Sequence, residues 1–258
     1  MKKLNLKQAV IAKKRLLKMH YDSGVGHIGG NLSVLDCLLV LIYEFRKNNE
    51  IFLSKGHAAG ALYVALWYSK LINESDLLTF HKDNTEFPGH PATNFKHHIS
   101  FGTGSLGHGL SLASGTALAF KLKKSKKISR SFCVTSDGEW QEGSTWEALI
   151  FAQHHKLNNL TVFVDHNNLQ GFGYTKDISS MNPLWKKLKG FDITISVIDG
   201  HNLEEIRLAA SKKTKNVHIV FMKTIKGKGI SFMENKMEWH YLPLDEQKYK
   251  DALKELDQ

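Results

Sequence analysis

Little in this chain can serve for covalent stapling. Two cysteines occur in 258 residues, Cys37 and Cys133, each among apolar neighbours. That reads as buried free thiols in a reducing compartment and excludes a disulfide scaffold. Prolines number only four, and no repeat or low-complexity stretch appears, which excludes a Pro-rich linker or a fibrous chain. Long hydrophobic runs are missing too: the longest, near Leu38 to Tyr43, falls far short of a bilayer span. The opening Met1-Lys2-Lys3-Leu4-Asn5-Leu6-Lys7 lacks the uninterrupted apolar core of a secretory leader. The expectation is a cytoplasmic protein with no membrane partner.

Negative charge is in deficit: 35 Lys+Arg face 25 Asp+Glu, for a net charge of +10. A basic balance raises the question of nucleic acid. The lysines are scattered, however, and the modest clusters at Lys121 to Lys127 and Lys212 to Lys215 follow amphipathic stretches. They read as solvated helix ends, so no nucleic-acid partner is expected. Attraction of anionic, phosphorylated small molecules uses such a field better. A hydrophobic share of 42% and a charged share of 23% are ordinary for a globular chain of this length with one large core.

Apolar periodicity predicts a helix over 6–20 through Leu6, Val10, Leu16 and Leu17. A glycine-rich loop, Ser23 to Gly30, follows, and Ser33 reads as the N-cap of an apolar helix reaching Phe45. A strand is expected at Glu50 to Leu53, then a helix of small and aromatic residues to Tyr68. Residues 80–101 are irregular, and a loop that long is usually functional. Gly102 to Gly109 opens into a helix ending near Leu122. Strands at Ser131 to Thr135, Leu160 to Val164, Ile193 to Ile198 and Val217 to Met222 then alternate with helices from Ser144 and over 202–213. Ser144-Thr145-Trp146-Glu147 fits a capping box. A last helix is expected over Leu244 to Leu256. Short continuous apolar strands between helices predict one domain, a three-layer α/β/α sandwich around a mainly parallel sheet.

Asp137 and Asn167 each stand just past a predicted strand, Asp137 beside Gly138. Two hard oxygen ligands meeting at the carboxyl edge of a sheet suit a divalent cation that carries a phosphate. Either residue alone also reads as a strand-end turn cap. A backbone carbonyl near Leu169 completes the possible ligand set. The loops 102–109 and 137–143 each feed a helix and can offer backbone N–H groups to an anion. Fourteen histidines are present, and His27, His57, His90 and His108 stand beside glycines in loops, where imidazole can donate, accept or shuttle protons. They read equally as exposed loop residues. Glu142, between Gln141 and Gly143, is open to two readings: a caged acid or a surface turn residue. No zinc spacing, serine elbow or dinucleotide fingerprint is found.

Taken in order, Gly26-His27-Ile28-Gly29-Gly30, Leu53-Ser54-Lys55-Gly56-His57-Ala58, Pro88-Gly89-His90-Pro91, Thr103-Gly104-Ser105-Leu106-Gly107, Asp137-Gly138 with Gln141-Glu142-Gly143, and Asp165 with Asn167 run over nearly the whole chain. Together with Lys223 to Gly229 and Trp239-His240 they resemble the thiamine-diphosphate-binding half of transketolase, and in particular the N-terminal subunit of a split transketolase. The resemblance implies the thiamin-diphosphate-binding fold and transfer of a two-carbon ketol unit from a ketose phosphate to an aldose. It implies that His57 and His240 approach the diphosphate, that Gly104, Ser105, Leu106, Gly138 and Glu142 belong to the cofactor site, and that Asp137, Asn167 and Leu169 hold Mg2+ or Ca2+. It implies that His27, His57, His90 and His240 meet the sugar or move its protons. Three residues depart from the family pattern: Ile28, His108 and Ser136. The pyrimidine-binding domain has no counterpart in this sequence, so the resemblance implies a heterotetramer completed by a separate C-terminal chain. The alternatives are the alpha chain of a 2-oxo acid dehydrogenase, a deoxy-sugar-phosphate synthase, or a transketolase-like enzyme of surface-sugar synthesis.

Overall fold

The structure, a computed structural model describing residues 3–123 and 129–257, contains one five-stranded sheet. Its strands are β1 (Glu50–Leu53), β2 (Ser131–Ser136), β3 (Leu160–His166), β4 (Thr194–Asp199) and β5 (His218–Lys223). They lie in the order β1-β2-β3-β5-β4, and all four pairings are parallel. Side chains along a strand alternate between faces. Phe132, Val134, Phe163, Val220 and Met222 therefore enter a core on one side, under helices Leu6–Ser23, Ile28–Val40, Ala59–Tyr68 and Leu203–Ser211. Cys133, Val162, Val164, Ile219 and Phe221 enter a core on the other, under Gly109–Leu122 and Gly143–His154. This is the three-layer α/β/α arrangement. Strand β2 is buried along its whole length and so is β3, which is why both read as unbroken apolar runs. Both cysteines are free and buried.

Several local expectations are corrected. The helix assigned to begin at Ser33 begins at Ile28, and Gly29 and Gly30 lie in its first turn. Glycine serves close packing there: a Cβ on Gly29 would lie 3.2 Å from Lys226 and Trp239. Ser33 is interior to that helix, and its hydroxyl donates to the Asp165 carboxylate at 2.6 Å. The helix continues through a wider turn, Leu41–Phe45. Ile28–Phe45 is long and apolar enough to cross a bilayer by composition, contrary to the expectation from its apolar run, but it is packed almost wholly inside the protein. Glu142 precedes the helix Gly143–His154 without a side-chain cap, and Ser144 donates instead to the Gly107 carbonyl at 3.1 Å. The last helix, Glu246–Leu256, is capped by the Asp245 carboxylate accepting from the Lys248 N–H. Of the lysine cluster from Lys121 to Lys127, residues 124–127 lie outside the described residues.

Candidate active site

The carboxyl ends of adjacent strands β2 and β3 pair Ser136 with Asp165, so the residues that follow, Asp137 and Asn167, emerge side by side. That is where parallel sheets bind ligands. A cavity of about 280 Å³ opens there. Its walls include seven of the residues singled out from the sequence: His57, Leu106, Asp137, Gly138, Asn167, Leu169 and His240. They also include Lys55 and Lys226, which lie inside the sequence motifs but were assigned no role by them.

Asp137 is buried and has no ion-pair partner among the described residues. Its two oxygens accept from the Gly138 N–H at 2.8 Å and the Asn168 N–H at 2.6 Å. Burial nevertheless pushes its carboxyl up to about 6. Asn167 Oδ1 accepts from the Leu169 N–H at 3.0 Å, which folds the three expected ligand residues into one turn. Asp165 behind them is equally buried but provided for. Lys55, Ser33, Thr224 and Asn167 all donate to it. Burial alone would raise its pKa, but the Lys55 ammonium and the hydrogen bonds hold it below the usual carboxylate value.

Lys226 is buried, and its ammonium reaches the Gln170 carbonyl at 3.3 Å and His240 Nδ1 at 3.1 Å. Burial, with Lys55 nearby, brings it down to about 8. His240 is brought down to about 3, by burial first and then by the Lys226 charge. An ammonium can only donate, so Nδ1 of His240 is the acceptor and the neutral ring carries its proton on Nε2. His57 is held well below its ordinary value by burial and then by Lys55. The cavity thus combines two buried ammonium groups, a carboxylate without a cation, and neutral imidazoles.

The four histidines expected to meet the sugar converge. His27 lies 4.7 Å from His240, 5.7 Å from His57 and 6.2 Å from His90, ring centre to ring centre. His27 takes φ +65°, the left-handed region that side chains rarely occupy, as the residue before its helix. Its N–H donates to the His240 carbonyl at 3.0 Å. Gly26 permits that approach, since a Cβ there would lie 2.5 Å from the Tyr241 oxygen. Asn31 then ties two loops together: its Nδ2 donates to the carbonyls of His27 and His57 at 2.8 and 3.2 Å.

Other candidates lie elsewhere. Gly104 sits beside His90, and Ser105 is exposed; neither lines the cavity. Glu142 is exposed in this chain and lies outside the cavity. The caged acid of that loop is Glu139, fully buried, which accepts from the Ser54 hydroxyl and the Gly107 N–H. The Gly109 N–H donates to Ser54. The N–H groups of Gly107 and Gly109 are therefore engaged by the protein's own Glu139 and Ser54, although the loop's composition had suggested a bound diphosphate as their partner. Of the three departures, Ile28 is a core residue, His108 is exposed, and Ser136 lines the cavity, its hydroxyl accepting from the Glu139 N–H at 3.3 Å.

The family model for the transketolase thiamine diphosphate binding domain matches residues 6–257. The chain belongs to the transketolase family. One relative, a subunit of the apulose-4-phosphate transketolase of Actinobacillus succinogenes, is 35% identical over 248 residues, which are 91% of this chain and 89% of that protein. The 6-deoxy-6-sulfo-D-fructose transketolase subunit SqwG of a Clostridium species is 35% identical over 264 residues, 97% of this chain and 95% of that one. Among solved structures, transketolase from Campylobacter jejuni superimposes with a TM-score of 0.85 at 28% identity, covering 98% of this chain. The chain spans 43% of that longer polypeptide. Within the family, this chain is similar in extent to separately encoded subunits and corresponds to the thiamine-diphosphate-binding part of the long transketolases.

Proposed function

We propose that this chain is the thiamine-diphosphate-binding subunit of a two-chain transketolase that transfers a ketol unit from a ketose phosphate to an aldose. One observation carries the reading: Asp137 is a buried carboxylate without a cation, in a cavity whose other charged walls are the ammonium groups of Lys55 and Lys226. A divalent ion bearing a diphosphate supplies the charge that this arrangement lacks, and the residues present fit such a group. Asp137, Asn167 and the Leu169 backbone would hold Mg2+. Lys55, Lys226, His57 and His240 would meet the anionic tail.

When bound, thiamine diphosphate supplies the nucleophilic carbon and the electron sink for carbon–carbon cleavage. The chain's own residues orient and protonate. His240, with its proton on Nε2, presents a donor to a substrate oxygen, and Lys226 keeps that tautomer in place. His27, His57 and His90 are neutral near pH 7, since burial lowers each, and they can donate or accept at sugar hydroxyls without repelling a cation.

The partner is a C-terminal subunit, assembled with this chain as a heterotetramer in the cytoplasm. Phe172 and Tyr241, 86% and 52% exposed and both on the cavity wall, give such a partner an apolar rim to cover. The two relatives named for apulose-4-phosphate and 6-deoxy-6-sulfofructose favour a specialised sugar over the common pentose phosphates. The test is ketol transfer assayed with this chain alone, with its companion, and with both plus cofactor and Mg2+. Activity is expected only in the last mixture. Full transfer by this chain alone, or no heat of thiamine diphosphate binding with Mg2+, would reject the reading.

A further inference from the structure

Beyond strand β5 the chain leaves the sheet as a strap, Thr224 to Gly227, that carries Lys226 into the cavity wall. Lys226 is held there against a force: its ammonium is buried near that of Lys55, and like charges repel. Thr224 is secured by donating its hydroxyl to Asp165, and the Gly227 N–H donates to the Gly29 carbonyl at 2.9 Å. Between them the N–H of Ile225 lies past the end of the strand ladder. It donates to Nε2 of His201 at 3.0 Å. His201 carries no sequence motif that marked it, and it does not line the cavity.

An N–H can only donate, so Nε2 is the acceptor and the ring carries its proton on Nδ1. Nδ1 donates that proton to the Asp36 carboxylate at 3.0 Å. Asp36 is 2% exposed, on the helix Ile28–Val40 that begins one residue after His27, and it also meets the Lys13 ammonium at 3.3 Å. The turn that presents the ring is fixed as well. The His201 N–H donates to the Asp199 carboxylate at 2.9 Å, and Gly200 lies so close to the strap that a Cβ there would collide with Thr224. One rigid imidazole thus spans a buried carboxylate and a backbone donor. The span needs a donor at one end and an acceptor at the other, which an apolar side chain filling the same place would not supply.

We propose that His201 is a positioning residue for cofactor capture: through the Ile225 N–H it ties the strap to Asp36 and so holds the Lys226 ammonium at the place that receives the anionic tail of thiamine diphosphate. The proposal rests on the ketol-transfer reading, because that reading gives Lys226 a diphosphate to meet. His201 itself acts through the strap and touches neither cofactor nor sugar.

The experiment uses the complex of this chain with its partner, in Mg2+, and measures by calorimetry the Kd of thiamine diphosphate and of thiamine monophosphate. The ratio of the two is the readout. The wild-type complex is expected to prefer the diphosphate by on the order of a hundredfold. His201→Asn keeps a donor near Asp36 but is too short to reach Ile225, and it should lower the ratio about tenfold, the loss of one charge-assisted hydrogen bond. His201→Gln places an amide oxygen where Nε2 stood and should recover the ratio to within about threefold. On a Lys226→Met background no ammonium is left to place, so His201→Asn should lower the ratio no further. Should His201→Asn fail to fold, Asp36→Asn, which keeps the shape but weakens the group that orients the ring, should lower the ratio about threefold. Equal weakening of both ligands, an unmoved ratio, a Gln variant no better than Asn, or a further tenfold loss on the Lys226→Met background overturns the positioning role. If the wild-type complex shows no preference for the diphosphate, the parent reading falls and this role with it; if it shows the preference and the variants do not move it, only this role falls.

Discussion

Replacing Asp137 by Asn removes a charge that the metal-free chain holds at a disadvantage. Burial moves this carboxyl from an ordinary value of 3.8 to about 6, a rise of roughly 2 units, worth about 3 kcal/mol. The folded value lies above the unfolded one, so the associated stability is present below pH 3.8 and is lost as pH rises through 6. By that linkage about 1.4 kcal/mol disappears between pH 5 and pH 7.5, and the Asn variant does not share the loss. The new amide faces backbone N–H groups that it cannot all accept, which adds a constant offset. The offset cancels when one protein is compared with itself at two pH values. Urea denaturation in chelator at pH 5 and 7.5 should therefore show a stability difference, wild type minus variant, that falls by about 1.4 kcal/mol.

Adding thiamine diphosphate and Mg2+ at about 100 times Kd should then raise wild-type stability by about 2.7 kcal/mol, or roughly 5–10 °C in Tm, and leave the variant unmoved. Two results would refute the reasoning: parallel pH profiles, or equal stabilisation of both proteins by cofactor and metal.

Asp165→Asn leaves the Lys55 ammonium buried without its counter-charge and should cost about 3–5 kcal/mol in denaturant unfolding, where a loss under about 1 kcal/mol would contradict the ion-pair account. Gly26→Ala forces a methyl against the Tyr241 carbonyl and should lower kcat/KM of the complex about tenfold by displacing His27 from His240, as steady-state kinetics would show. His218 is buried, and desolvation brings its ring down to about 4, so its contribution is present above pH 6.5 and lost as pH falls toward 4. The wild type should lose about 2.4 kcal/mol more than His218→Gln between pH 7 and pH 4.5, read from urea midpoints.

What was legible in the sequence was whatever sits at a strand end in a short local pattern. Asp137 and Asn167 follow unbroken apolar strands, so both could be placed at one sheet edge; the histidine loops were gathered at the same site only by the family resemblance. The strand layout was legible for the same reason, since burial on both faces leaves unmixed apolar runs. What stayed hidden depends on partners far apart in the chain. Lys55 meets Asp165, and Ser54 meets Glu139, only after the sheet forms, and no local spacing reports either pair. Glu142 was singled out over Glu139 because flanking glycines look like a loop, while the cage around Glu139 comes from Ser54 and Gly107. Gly29-Gly30 misled in the same way: glycines that admit a neighbouring chain segment into a helix's first turn carry the composition of a loop.

Every strand of the sheet is complete by Lys223, yet Lys226, His240 and Tyr241 lie beyond it. The stretch that follows the last strand therefore supplies one wall of the pocket and part of the core as well, through Ile230, Met233, Trp239 and Leu244. Ligand capture and consolidation of the interior are thereby coupled through one segment, since whatever dislodges it uncovers buried side chains and unmakes the pocket together.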